Sequence, residues 1–265
     1  MTGEPVLRKY PRTPHLEGSR LQPGDEDLEQ VPVDELGGTS IVVEEKVDGA
    51  NSGISFDTDG RMRLQSRGHF LSGGPRERQF DLMKRWSSTH RDELWSLLGA
   101  RFVCYGEWVH AKHTVFYDAL PSYFIEFDVL DTTSGAFLDT PSRRSLFEGT
   151  SVHSAPVLHE GRAEDAPPMA TMVGPSLFKS PGWREELDRR ALAAGLDIDV
   201  VRRQTDPRDE AEGLYIKIEA NGVVERRFKW IRASFSAAVL NSEEHWMERP
   251  ILANRLGHNI TEERP

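Results

Sequence analysis

The stretch Ile41-Val42-Val43-Glu44-Glu45-Lys46-Val47-Asp48-Gly49-Ala50-Asn51 reads as a buried strand that ends on a lysine and runs into a tight turn. Three consecutive β-branched residues favour the strand, and Asp48-Gly49 supplies the turn chemistry. Such a lysine is weak evidence alone. A KxDG match arises by accident in roughly one chain in twenty of this length, and a solvated strand end explains it equally well.

Working outward, two short strands flank Asp59-Gly60, with Met62 and Leu64 alternating on the second, which predicts a hairpin. Residues 76–98 read as helical, with Phe80, Met83, Trp86, Leu94, Leu97 and Leu98 at the apolar positions. Strands are expected over 102–109 and 123–130. Thr140-Pro141 opens a short helix with the threonine hydroxyl as cap, and Ser180-Pro181 opens another that ends at Gly195. The segment from Trp183 to Leu196 is read as an amphipathic packing helix. Gly213 to Glu219, Asn221-Gly222, and Val223 to Ile231 give the strongest short hairpin signal in the chain. The expected class is α+β, with antiparallel sheets and flanking helices. Residues 1–39 read as an irregular lead-in, 1–232 as one domain and 233–265 as a short helical tail.

Composition narrows the function. Of 265 residues, 37% are hydrophobic and 29% charged, enough to close a core and too apolar for disorder. No apolar run approaches the roughly 18 residues of a membrane span, and the N-terminus carries no secretory h-region. Cys104 is the sole cysteine, which excludes a disulfide framework and a cysteine-rich zinc site and fits a reducing cytoplasm. His110 and His113 lack a second ligand pair at metal spacing. The net charge of −10 argues against a generally basic surface, but the local field decides. Arg226, Arg227, Lys229 and Arg232 cluster, as do Arg61, Arg63 and Arg67, and Arg8, Lys9 and Arg12. Neither GxxxxGK[ST] nor GxGxxG occurs, so any use of ATP is without a P-loop.

Downstream of Lys46 stand QSRGHF (65–70), YGEW (105–108), FIEFDVLD (124–131), EGLYIK (212–217) and RFKW (227–230). With these blocks, and KYPRTPHLEGS (9–19) in the lead-in, the sequence resembles the covalent nucleotidyltransferases, most closely ATP-dependent RNA ligases of the RNA ligase 2 type. The resemblance spans about residues 6–232. It implies a ligase-type nucleotidyltransferase domain in which Lys46 is the adenylylated nucleophile, with Lys217 and Lys229 on the phosphates. Asp48 would contact the ribose, Arg67 the phosphate region, and Glu107 the ribose or metal. Phe127 would stack on adenine with Asp128 beside it, and Glu212 would serve metal or nucleotide. Glu45 and Asn51 complete the implied nucleotide set, and Asp48, Glu107 and Glu212 the implied metal set. ATP and Mg²⁺, or Mn²⁺, are the implied cofactors. RNA ends are the implied substrate, with an end-healing kinase or phosphatase as partner, a monomeric state and RNA repair as the setting. Where the family often has a second lysine, this chain has Arg227, a planar fork in place of a compact ammonium.

The residue types suit that chemistry. A lysine attacking an α-phosphate must be neutral, yet fewer than about one in a thousand is so at pH 7. Neighbouring cations lower a buried lysine's pKa, and Lys217, Lys229, Arg227 and Mg²⁺ are expected to do so here. Phosphoryl transfer then needs alignment and charge stabilisation. Blander readings remain: Phe127 as core, Asp128 as a backbone-satisfied carboxylate, Arg67 as surface, and Gly106 and Gly213 as bulges. Tyr10, Arg12, Thr13 and His15 either face RNA or form an unassigned surface. Two rival functions stand beside the first. One is a DNA ligase or capping enzyme, which usually carries an OB domain after the last lysine block, where this chain shows none. The other is an inactive RNA-binding subunit.

Overall fold

The computed structural model describes residues 6–22, 24–25, 27–235 and 251–257. In chain order, the lead-in holds β1 (His15–Leu16) and β2 (Gln30–Val31), followed by β3 (Ser40–Lys46), β4 (Ala50–Phe56) and β5 (Met62–Ser66). Helices α1 (Asp81–Thr89) and α2 (Arg91–Leu98) precede β6 (Phe102–Trp108), β7 (Phe124–Asp131) and β8 (Phe137–Leu138). Then come α3 (Thr140–Phe147), β9 (His153–Ser154), β10 (Val157–Arg162), α4 (Met169–Met172), α5 (Trp183–Ala193) and α6 (Ile198–Arg203). The hairpin β11 (Gly213–Ala220) and β12 (Val223–Ile231) closes the set. The class is α+β, as expected.

The strands join in the order β10-β3-β11-β12-β8-β7-β6-β4-β5, antiparallel along this path. Asn221 (φ 54°) and Gly222 (φ 82°) both take left-handed backbone at the β11–β12 turn, the geometry that matches strand twist. The two halves of the sheet approach one another, for Lys217 on β11 donates to the Phe127 carbonyl on β7. Between them lies an apolar cluster that includes Val47, Tyr105, Tyr117, Ile125, Phe127 and Ile231. Helices α1 and α2 cover the other side of β4, β6 and β7 through Met83, Leu94 and Leu98 against Ile54, Trp108 and Phe124. Each such fully buried side chain contributes about 1.5–3 kcal/mol.

Several expectations change in detail. The helix expected over 76–98 starts as a 3₁₀ turn and breaks at His90, whose φ and ψ (−94°, 14°) leave the helical basin. Asp139, and not Thr140, caps α3 by accepting from the Ser142 amide at 3.0 Å, because the Thr140 hydroxyl donates to Glu219. Helix α5 packs as expected, with Trp183, Leu187 and Ala191 against Phe116 and Val201. The lead-in is no loose surface. Tyr10, Thr13 and His15 are buried, which overturns their reading as RNA-facing groups, and only Arg12 of that set is exposed. The helical tail expected over 233–265 falls on residues 236–250 and 258–265, which lie outside the described residues. Residues 251–257 are extended and return to the domain, with the Asn254 side chain fully buried between Val109 and Tyr117.

Candidate active site

Register decides which side chains meet. Across β3, β11 and β12, Lys46 opposes Gly213, Glu44 opposes Tyr215, Tyr215 opposes Lys229 and Lys217 opposes Arg227. Directly opposed residues share a face, so these groups form one polar face of the sheet. The other face carries Val43, Leu214, Ile216, Phe228 and Trp230 into a separate apolar cluster.

At the open end of the polar face, Lys46 Nζ lies 2.8 Å from Glu212 Oε2, with the two side chains 19% and 7% exposed. Glu107 stands on β6 opposite Asn51 on β4, near the same ammonium. The glycines beside these acids have a steric reason. A Cβ on Gly213 would sit 2.1 Å from the Trp230 carbonyl oxygen, and one on Gly106 would sit 2.7 Å from that of Ile125. The bulge reading also holds at Gly106, where the β6–β7 register shifts.

The electrostatics reverse one expectation. Burial alone would depress the Lys46 pKa, but Glu212, Glu107 and Asp48 overcome it and raise the value above that of an ordinary lysine. Lys217 and Arg227 do not stand against Lys46. Burial lifts the Glu107 carboxyl to about 8 against the pull of Lys46, and lifts Glu212 to about 7. The pocket expected to be cationic is rich in carboxylate, because period-two register puts Lys217 four residues up β11 from Gly213.

Lys217 and Arg227 belong to a sealed cluster. Lys217 Nζ is 2.8 Å from Glu44 and 3.3 Å from Asp128, and is fully buried. Arg143 from α3 bonds Glu126 at 2.7 and 2.9 Å and also binds Glu44. Arg227 Nε lies 3.4 Å from Asp128, its guanidinium 3.9 Å from the Phe137 ring centre, and the Tyr10 hydroxyl donates to Asp128. Burial would raise the Asp128 pKa, but Lys217, Arg227 and Arg143 hold it low. Three acids thus balance three cations away from the open end. The Lys217 ammonium is thus held by Glu44, Asp128 and the Phe127 carbonyl, away from the Lys46 end of the face where the phosphate-holding role was expected.

Other implied residues divide similarly. Asp48 Oδ2 accepts from the Thr114 and Val115 amides, each at 2.7 Å, so the carboxylate pins a loop and offers a ligand at most one oxygen. The Glu45 side chain points to the opposite face, where it accepts from Ser176 at 2.5 Å and from the Leu177 amide at 3.0 Å. That removes its carboxylate from the nucleotide set. Arg67 is exposed after β5, close enough to lower the Glu107 pKa. Lys229 sits near Lys46 and is ion-paired to Asp25 of the lead-in. With Glu44 and Glu45, whose carboxylates are bonded elsewhere, and with Lys46, Val47, Glu107, Ile125, Ala155 and Tyr215, Phe127 walls a cavity of about 20 Å³. That is room for a water, so a larger guest requires Phe127 and Tyr215, now 5.8 Å apart at their ring centres, to part.

The implied metal set also changes. Among the described residues no group of three or more His, Cys, Asp or Glu is arranged to hold a metal ion. Asp48 is committed to amides and Glu212 to Lys46, whereas Glu107 Oε2 is buried without a hydrogen-bond partner. His110 and His113 lie in the loop after β6 and not in a strand. Sequence reasoning missed Asp25, Glu44, Glu126 and Arg143. Only Glu44 had a signal, its two-residue spacing from Lys46.

The fold has relatives among solved structures. An RNA ligase of Naegleria gruberi, in a glutamate-to-alanine variant with ATP and Mn, aligns with a TM-score of 0.52 at 17% identity, covering 86% of this chain and 57% of that one. A second glutamate-to-alanine variant of that ligase, with AMP and Mn, aligns at 0.50 and 18%, covering 85% and 56%. At these identities the likeness shows the fold, and the chain spans little more than half the length of the ligases it matches. No curated protein sequence matches the chain. Among the described residues no helix is long and apolar enough to cross a membrane. The RNA ligase family model, in contrast, matches residues 39–231, which run from the start of β3 to the end of β12 and enclose every block of the polar face; the chain belongs to the RNA ligase family.

Proposed function

We propose that the protein joins a 5′-phosphate and a 3′-hydroxyl of RNA at the expense of ATP, through a lysyl-AMP intermediate, in RNA repair. The observation that carries this reading is Lys46 itself: a partly exposed amine at a strand end, ion-paired to Glu212 and bordering a cavity walled by Phe127. The ATP, AMP and Mn held by the matched Naegleria ligases support ATP and a divalent cation as participants.

In the first step the neutral Lys46 amine attacks the α-phosphorus, forming a P–N bond as pyrophosphate leaves. The 5′-phosphate of an RNA strand then attacks the same phosphorus, breaking the P–N bond and giving a 5′–5′ pyrophosphate. Attack by a 3′-hydroxyl on the strand's own phosphorus releases AMP and seals the phosphodiester. Glu212, with a pKa near the working pH, accepts the hydrogen bond of the ammonium that must lose its proton. Phe127 offers the base an aromatic face, and Lys229 and Arg67 bring positive charge to the phosphates.

A divalent cation fits this donor set only as a nucleotide-bound ion. Glu107 has a carboxylate oxygen without a hydrogen-bond partner, and Mg²⁺ is commonly held by one or two carboxylates with phosphates and waters. When bound, it neutralises charge on the phosphates. Enzymes that leave 5′-phosphate and 3′-hydroxyl ends would supply the substrate.

The test is a covalent adduct. Incubation with α-labelled ATP and Mg²⁺ should label the wild-type chain and neither Lys46→Ala nor Lys46→Arg, since guanidinium provides no neutral amine. Equal labelling of the alanine variant refutes the reading. Comparing ATP with GTP, and nicked RNA with nicked DNA, separates it from a capping or DNA-joining activity.

A further inference from the structure

The lead-in precedes the family-matched residues, yet it reaches into the site. The Lys229 amide donates to the Pro14 carbonyl at 3.0 Å, and His15 pairs with Lys229 in a parallel bridge between β1 and β12. Ser19 Oγ lies 2.7 Å from His15 Nδ1 and accepts from the Ile231 amide at 2.8 Å, so the lead-in is stitched to β12 on both sides of Lys229. Asp25 then meets the Lys229 ammonium, with His15 Nε2 at 3.2 Å and Arg12 at 3.4 Å from the same carboxylate. Asp25 and Lys229 are 15% and 13% exposed, so solvent screens the pair little. This is a built arrangement: Arg12 also grips Asp27 at 2.6 and 2.8 Å and the Gly24 carbonyl, which fixes the loop around Asp25.

We propose that Asp25 is a positioning residue for the ligase reaction, holding Lys229 charged and aimed beside Lys46 so that it can receive the phosphates. This inference rests on the reading of Lys46 as the nucleotide-accepting amine. Its logic is one of charge. Lys229 stands near a second ammonium, Lys46, in a buried setting, and burial with Lys46 lowers its pKa while Asp25 and Glu212 oppose that trend. The other groups facing the pair are Arg12, a second cation on Asp25, Tyr215, opposite on β11, and His15, held below its ordinary pKa by burial. None replaces a carboxylate. Without Asp25, Lys229 would surrender its proton more readily and lose the anchor that directs it.

The experiment is the pH profile of adduct formation on the full chain at saturating ATP and Mg²⁺. In the wild type the rate turns down on the alkaline side as Lys229 deprotonates. Asp25→Asn should move that turn to lower pH, since the carboxylate that opposes burial and Lys46 is gone. Asp25→Glu should keep it in place, as should Asp27→Asn, which alters the same loop without touching Lys229. A purely structural role would scale the rate and leave the profile's shape unchanged. An Asp25→Asn profile that superimposes on the wild type after scaling overturns the proposal. Absence of any adduct in the wild type overturns the proposed function and this inference together.

Discussion

Glu212→Gln should make Lys46 a more reactive amine in the nucleotide-free protein. The two groups are 2.8 Å apart, with little exposure on either side. At an effective dielectric of 20, two unit charges at that separation interact by about 6 kcal/mol, or roughly four pH units at 1.36 kcal/mol per unit. The glutamine dipole retains part of that energy, and Glu107 and Asp48 still face the ammonium. A fall of about two pH units is therefore expected, with burial now unopposed in pulling the value down. The assay is limited modification by trinitrobenzenesulfonate between pH 7 and 9, with the Lys46 peptide quantified by mass spectrometry. Below its pKa, reactivity follows the neutral fraction, so the variant's Lys46 should react about 100-fold faster than the wild type's at each pH. Rates within threefold of each other would refute the claim that carboxylates hold Lys46 protonated.

Arg143→Met should destabilise the fold by about 3–5 kcal/mol, because Glu44 and Glu126 lose their shared buried partner. Burial already holds the Glu126 carboxyl above its ordinary range against the pull of Arg143, and removing the guanidinium lifts it further, so the loss measured by urea unfolding should be larger at pH 8 than at pH 5.5. Equal losses at both pH values would contradict this. Glu107→Gln addresses the raised carboxyl at the open end. A folded pKa of about 8 against an unfolded one near 4.5 means that the native state binds the extra proton, so stability is lost as pH rises through that window. The wild type should lose about 3–4 kcal/mol more than the variant between pH 5 and pH 8, because the unfolded carboxyl is already largely ionised at pH 5 and the folded one only half ionised at pH 8. Parallel urea midpoints across that range would count against it.

The parts of the fold that could be read in the sequence are those with local causes. Asn221-Gly222 forces its turn wherever the strands go, and Met83, Leu94 and Leu98 recur at helical spacing whatever they pack against. What escaped needs non-local partners. The strand β10 exists because its backbone pairs with β3, and β1 because it pairs with β12, both across long separations. His90 breaks a helix that periodicity alone would continue. The site shows the same divide. Lys46, Glu107, Glu212 and Lys229 converge as their motifs imply, while Lys217 shares their face but stands too far along the strand. Asp48 and Glu45 have the right chemistry and approximate place, yet their oxygens serve loop amides and hydroxyls. Spacing gives the face of a strand; it does not give the distance along it or the competing donors.

That distance separates two charge regimes on one face of the sheet. The sealed end is balanced, with Glu44, Glu126 and Asp128 against Lys217, Arg143 and Arg227, and its bonds reach the backbone of Phe127. The open end is mixed, with Asp25, Asp48, Glu107 and Glu212 beside Lys46, Lys229, Arg67 and Arg12, and with burial lifting Glu107 to about 8 and Glu212 to about 7. Near neutral pH the raised Glu107 and Glu212 carboxyls hold protons for much of the time, so Lys229 and Arg67 leave this end able to receive a polyanion. A proton taken up by Glu212, whose carboxyl is lifted to about 7, would weaken its hold on the Lys46 ammonium 2.8 Å away, so protonation of the acid and release of the amine are linked.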